Sequence, residues 1–221
     1  KPAVRLATLD LRRRGRTSVV LVPETFEDGS ISPCAHIRLL LPLQHASERA
    51  PIDLVLASPA EAAHYRAHVL ATQRYAPADT ATARALIAHA RETGAALVYD
   101  VDDDLLNIPR DHADAAVLRP RAPMVRAMLG GAEAIWTSTV PLARALTGPG
   151  RAKPVVLANA LDERLWQAAS PAPHELGAPV RLVMMGTHTH HADMAVVLPA
   201  LERLASLFGD RVGIDVIGMT G

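Results

Sequence analysis

The densest chemistry in the sequence is Asp100-Val101-Asp102-Asp103-Asp104, four carboxylates in five positions directly after the apolar run 95–99. Carboxylates this close repel one another and raise some of their pKa values unless a cation or hydrogen-bond donors offset the charge. Capping of a following helix is worth only about 0.3–1 kcal/mol per carboxylate, and four are more than a cap requires. The remaining jobs for such a run are binding an acceptor hydroxyl, acting as general base, or holding a cation.

Three further places combine polar residues with the end of an apolar run. Residues 24–33 read Glu-Thr-Phe-Glu-Asp-Gly-Ser-Ile-Ser-Pro, in which Ser32 suits an N-cap and Pro33 the first helical position. The helix amides there, with His36 and Arg38 one turn in, are placed to receive a sugar or phosphate; the alternative is an ordinary loop with solvated acids. Residues 187–193, Thr-His-Thr-His-His-Ala-Asp, follow Gly186. Two histidines spaced i, i+2 invite zinc, but no further Cys or His cluster supports it, and a turn offering amides to a diphosphate fits better. Trp136-Thr137-Ser138-Thr139 and Asn159-Ala160-Leu161-Asp162 complete the set, with Ser138 or Thr139 capping a helix over Val140–Leu146 and Asn159 free to hydrogen-bond across a cleft.

The elements that must position these residues alternate between strand and helix. Ser18-Val19-Val20-Leu21-Val22 is a short apolar run of the kind buried on both faces of a sheet. Runs at 52–57, 68–72, 95–99, 134–137 and 154–158 repeat the signal. Between them, Asp79 or Thr80 opens a helix that places Ala83, Leu86, Ile87 and Ala90 on one face, and Gly94 closes it. This pattern predicts a parallel sheet with helices on both sides, where ligands bind beyond the carboxyl ends of the strands. Asp100, Thr137 and Asn159 should therefore share that rim.

After Trp166 the composition shifts. Residues 167–178 carry Ser170-Pro171-Ala172-Pro173 and Gly177 without apolar periodicity, and read as a linker between a domain over 1–166 and the start of a second over 179–221. The second unit shows a strand at Val180–Met185, a turn over 186–193, a helix and a strand at Val212–Ile217. The helix stripes Met194, Val197, Leu198, Leu201, Leu204 and Phe208, with Pro199 inside it as an expected kink and Gly209 as its stop. Two strands and a helix are marginal alone, so this stripe is expected to pack on the first domain or on another copy.

Composition narrows the classes. Twenty-three basic and 23 acidic residues cancel, so no global field recruits nucleic acid. All basic residues but Lys1 and Lys153 are arginine, which with abundant alanine reads as GC-rich coding rather than a phosphate-binding surface. The one cysteine, Cys34, permits no internal disulfide and fits a reducing cytosol; it reads as a small buried hydrophobe, not a nucleophile. No apolar run approaches the ~20 residues of a membrane span, and no secretory signal opens the chain. Lys1 in place of a start methionine suggests a processed chain or a fragment.

Taken in order, Ala96-Leu97-Val98-Tyr99-Asp100-Val101-Asp102-Asp103-Asp104-Leu105, Ile135-Trp136-Thr137-Ser138-Thr139, Asn159-Ala160-Leu161-Asp162 and Met185-Gly186-Thr187-His188-Thr189-His190 resemble the family-four type of GT-B glycosyltransferases of bacterial surface polysaccharide synthesis. The resemblance spans most of residues 18–218. It implies two Rossmann-like α/β domains, the second only begun here, and hexosyl transfer with retention from a nucleotide sugar to a glycan or lipid-linked acceptor. Gly29, Ser30, His36 and Arg74 would then face the acceptor, and Asp100, Asp102 and Asp103 the reacting centre. Gly186, Thr187, His188 and Asn159 would lie near the donor. No cofactor or bound metal is implied. The enzyme would be cytoplasmic, at the inner face of the membrane if its acceptor is lipid-linked, and self-association stays compatible with it. The paired-glutamate donor motif of that family is missing, so this chain alone is expected not to turn over.

Two readings from other classes compete. Leu97-Val98-Tyr99-Asp100-Val101-Asp102 also fits the first motif of haloacid-dehalogenase phosphatases, with Asp100 as the phosphorylated nucleophile and Asp102 as acid/base. Three strands precede it, however, and Asp103-Asp104 stand where Gly-Thr usually follows. The third reading is a non-catalytic nucleotide-binding module on the same fold.

Overall fold

Short β-branched and aliphatic runs are best buried inside a sheet covered on both faces, and six strands form one here, its inner strands mostly buried and its edge strands β3 and β8 partly exposed. In the computed structural model, which describes residues 8–166 and 177–218, the elements in chain order are β1 (Leu9–Asp10), β2 (Thr17–Val22), α1 (Pro33–Ala35), a π-helical turn (His36–Leu40), α2 (Leu41–Ser47), β3 (Ile52–Leu56), α3 (Pro59–Ala62), β4 (Tyr65–Arg66), β5 (Val69–Gln73), α4 (Thr80–Thr93) and β6 (Ala96–Val101). There follow α5 (Ala115–Leu118), α6 (Ala122–Gly131), β7 (Ala134–Thr137), α7 (Val140–Leu146), β8 (Val155–Val156), β9 (Val180–Met185), α8 (His191–Phe208) and β10 (Val212–Ile217). The chain divides into two compact units, Lys1–Ile108 with Val117–Trp166, and Pro109–Ala116 with Gln167–Gly221.

The first unit is built on a six-stranded, wholly parallel sheet in the order β3-β2-β5-β6-β7-β8. The order reverses between β2 and β5, the arrangement of a doubly wound α/β sheet, whose switch point lies where two neighbouring strands send their connections to opposite sides. The protein is thus α/β and Rossmann-like in its general architecture. β1 and β4 pair separately as a two-residue ladder. On one face Val20, Val22, Leu70, Leu97, Tyr99 and Ile135 meet the apolar sides of α4, α6 and α7. On the other, Val19, Leu21, Ala71 and Val98 pack with Leu40 and Leu43 of the helix that follows β2.

Local signals set the helix ends. Asp79 accepts from the Thr82 amide at the start of α4, and Gly94, at φ 70°, closes it in the left-handed conformation that costs glycine least. Ser32 caps α1 with Pro33 inside the first turn, and Thr139, not Ser138, caps α7. The helix from Pro33 to Ser47 is not uniform. The Leu41 amide reaches back five residues to the His36 carbonyl, and Pro42 has no N–H to resume the ordinary ladder, so the turn between widens to a π-helix. At the far edge the ladder of β8 is only two residues, shorter than the expected 154–158, since Pro154 cannot donate.

The second unit pairs β9 and β10 in parallel over six residues, joined by α8, which runs on through Pro199. Met194, Leu201 and Leu204 are half-buried, whereas Val197, Leu198 and Phe208 are exposed, so two strands cover only part of the stripe. Most of the linker expected over 167–178 lies outside the described residues. No helix among the described residues is long and apolar enough to cross a membrane.

Candidate functional site

Parallel strands present their last residues together, and in this sheet those residues are unusually polar. Gln73 ends β5 and lies opposite Asp100 in register, so both project to the face covered by the π-helical turn. From that turn Arg38 reaches Asp100 with two nitrogens: Nε lies 3.0 and 2.9 Å from the two carboxylate oxygens and Nη2 donates to Oδ1 at 2.6 Å. Its Nη1 donates to the Leu157 carbonyl at 2.9 Å and to Asn159 Oδ1 at 2.6 Å. Gln73 adds a longer amide bond to Asp100 Oδ2. One guanidinium thus fastens the helix after β2, the end of β6 and the segment after β8, and Asp100 and Asn159 lie at the same rim.

The Arg38–Asp100 side chains are 3% and 0% exposed, which makes this a buried pair. Burial pushes the Asp100 carboxyl up, and the Arg38 hydrogen bonds and charge offset only part of that. Burial also works against the Arg38 charge, but the bonds from Asp100 outweigh it and leave the guanidinium pKa raised. Arg38, expected from its spacing to face a ligand, is instead consumed inside the protein.

A second arginine collects the carboxylates that remain. Arg74 follows β5 immediately; its Nη1 donates to Asp102 Oδ1 at 2.8 Å and Asp103 Oδ2 at 2.6 Å, and Nε lies 3.2 Å from Glu24 Oε2 without hydrogen-bond alignment. Burial opposes its charge, yet Asp102, Glu24 and Asp103 together raise its pKa. Glu24 is itself pushed up, by burial first, with Arg74 pulling the other way. Arg74 also has φ 40°, among the described residues the only positive value outside glycine, a conformation costing about 1–3 kcal/mol. Its amide donates to the Asp100 carbonyl, and its carbonyl accepts from the buried Tyr99 hydroxyl at 2.8 Å, which pins the strained turn.

The four aspartates therefore divide between several partners. Asp100 is locked to Arg38, and Asp102 is nearly buried against Arg74, its carbonyl accepting from Ser138 Oγ. Asp104 closes a local turn, accepting from the Leu106 and Asn107 amides and from Asn107 Nδ2. Asp103 differs: its side chain is 64% exposed, Arg74 holds Oδ2, and Oδ1 has no partner among the described residues. It is the one carboxylate of the run both fixed in place and open to solvent.

Of the other expected site residues, Gly29 takes φ 82° in a turn closed by its amide to Phe26, and Ser30 gives amide and hydroxyl to Asp28 Oδ1. His36 is exposed at the start of the π-helical turn. In the second unit Gly186 follows β9 and its amide donates to the Ile217 carbonyl. There Thr187 shares a hydroxyl bond with Thr189, and His190 Nδ1 pairs with Asp193. His188 lies in the same turn, with its side chain outside the described residues. Glu24, Gln73 and Tyr99 join the rim without having been singled out as ligand-facing; Gln73 carried the same signal as Asp100, a polar residue at the end of an apolar strand.

Cys34 lies half-buried near this cluster, 3.9 Å from Arg74 Nη1. Burial, with the charge of Asp102, pushes its thiol up to about 11. At pH 8 its thiolate fraction, and so its alkylation by iodoacetamide, should be about a hundredfold below that of the unfolded chain. Labelling followed by mass spectrometry, with and without denaturant, checks this; equal rates would contradict the burial.

The fold and rim define a parallel α/β protein with a polar site at the carboxyl ends of its strands. No protein-family model matches the sequence. No curated protein matches it either.

Proposed function

We propose that the chain holds the acceptor-side domain and the beginning of the donor-side domain of a GT-B glycosyltransferase, which moves a sugar from a nucleotide sugar to a glycan or lipid-linked acceptor. The observation that supports this best is Asp103, a carboxylate fixed by Arg74 at the rim with one oxygen left to accept from a hydroxyl. A polyhydroxylated acceptor needs such a group to hold and orient the attacking oxygen, and positioning of that kind contributes much of a transferase's rate. Asp102 then serves as a positioning residue, since it shares Arg74 with Asp103 and helps set where Asp103 stands, while Asp100 holds Arg38 and through it Asn159 at the same rim. The phosphatase reading is weaker, because Asp100 is fully buried with both oxygens engaged and has none to offer a phosphorus atom.

The test is saccharide binding by the chain, followed by chemical-shift titration with a panel of mono- and oligosaccharides. Saturable binding is expected, weakened about tenfold in Asp103→Asn, the loss of one charge-assisted hydrogen bond, with an unchanged melting temperature. No saccharide binding, or equal binding by the variant, sinks the proposal. Nucleotide binding without saccharide binding would favour the non-catalytic module, and phosphate release from p-nitrophenyl phosphate the phosphatase.

A further inference from the structure

Past the aspartate run, residues 105–108 and the segment 119–126 leading into α6 line a pocket of about 550 Å³, widely open to solvent, within the first unit. Its walls are partly apolar, from Leu106, Ile108, Pro120 and Pro123, and its charged groups are Arg119 and Arg126. No Asp or Glu lines it among the described residues. Among the described residues, Arg119 and Arg126 share the lack of an ion pair with some other arginines, such as Arg144 and Arg151, but these two line one pocket. Arg12, Arg16, Arg38, Arg74 and Arg164 each pair with a carboxylate, and the neighbouring Arg121 lies over the Tyr75 ring. Arg119 spends only Nη1, on the Ile108 carbonyl at 2.9 Å. That bond holds its fork in place, while Nε and Nη2 have no partner among the described residues. Arg126 has no ion pair among the described residues.

Two guanidinium groups that share a concavity without a counter-charge repel each other and favour an oxyanion between them. A carboxylate would balance one charge; a phosphate monoester carries about −1.5 to −2 at neutral pH and offers three oxygens to the two forks. The volume lies in the range of small-molecule sites, about 300–1,000 Å³, which leaves room beside the apolar wall for an organic group. We propose that this pocket binds an organic phosphate monoester, with Arg119 and Arg126 on the phosphate and Leu106, Ile108, Pro120 and Pro123 against the organic part. The proposal goes beyond sugar transfer and does not depend on it: a chain that binds no saccharide can still carry this site.

Isothermal titration of the full chain with phenyl phosphate at low salt tests it. One-to-one binding is expected, tighter than for inorganic phosphate or benzoate and weakened by added salt. Arg119→Gln and Arg126→Gln should each weaken it about tenfold, the loss of charged hydrogen bonds, while Arg144→Gln on α7 leaves it unchanged. Amide-shift mapping on the parent chain, which needs no variant to fold, should place the perturbations at 105–108 and 119–126. Vesicles of phosphatidic acid in phosphatidylcholine show whether a lipid-borne monoester is also accepted. No binding of phenyl phosphate, benzoate binding equally tight, variants that bind like the parent, or shifts mapped elsewhere would each overturn the proposal.

Discussion

Arg38→Met should lower the stability of the first unit by about 3–5 kcal/mol, the cost of leaving a buried charge without its partner. The magnitude follows from where the pair sits. Asp100 is fully enclosed, and with Arg38 gone its carboxylate keeps only the 3.4 Å bond to Gln73. The segment after β8 suffers as well, because the Leu157 carbonyl and Asn159 side chain lose the same donor. Urea denaturation of parent and variant measures the difference. The double variant Arg38→Met, Asp100→Leu should recover most of the loss, since an apolar pair of similar volume carries no desolvation penalty. A single variant as stable as the parent would mean that the pair is not buried as described.

The same pair shows what could be read from the sequence and what could not. Apolar runs located β2, β3, β5, β6 and β7, and Asp79, Gly94, Ser32 with Pro33, and Gly209 marked helix ends because capping chemistry is local. The rim was legible for the same reason: Asp100 directly continues a buried run. Strand order was not, since nothing in a run of valines says that β3 lies outside β2 while β5 lies inside. Nor was the fate of the aspartates. Their repulsion is relieved by Arg38, 62 residues away, and Arg74, 28 residues away, and such long-range pairing leaves no trace in spacing. Spacing after a helix start points Arg38 toward a ligand, and only the resemblance points Arg74 there. The two-residue ladder of β1 and β4 is too short for any periodicity, and the widened turn at His36–Leu40 depends on one proline whose effect shows only in three dimensions.

Arg74→Gln should cost about 2–4 kcal/mol near pH 7.5, and much less near pH 5. Arg74 is 15% exposed and neutralises Glu24, Asp102 and Asp103 together, so its loss leaves three carboxylates facing one another at the end of β5 and β6. The pH dependence has a definite sign. Burial already raises the Glu24 pKa, the Asp102 charge adds to that, and Arg74 is the group that restrains it. Removing Arg74 therefore moves the folded-state pKa further above the ordinary Glu value of about 4.3. A carboxyl whose folded pKa exceeds its unfolded one binds more protons when folded. Its contribution is fully favourable below the unfolded pKa and is lost as pH rises through the folded one. The penalty of the variant should accordingly grow from pH 5 to pH 7.5, and the melting-temperature gap to the parent should widen over the same interval. Adding Glu24→Gln to the variant should narrow the gap at pH 7.5 by removing one of the three charges. A gap that widens on acidification instead would mean that the carboxylates are stabilised by something other than Arg74.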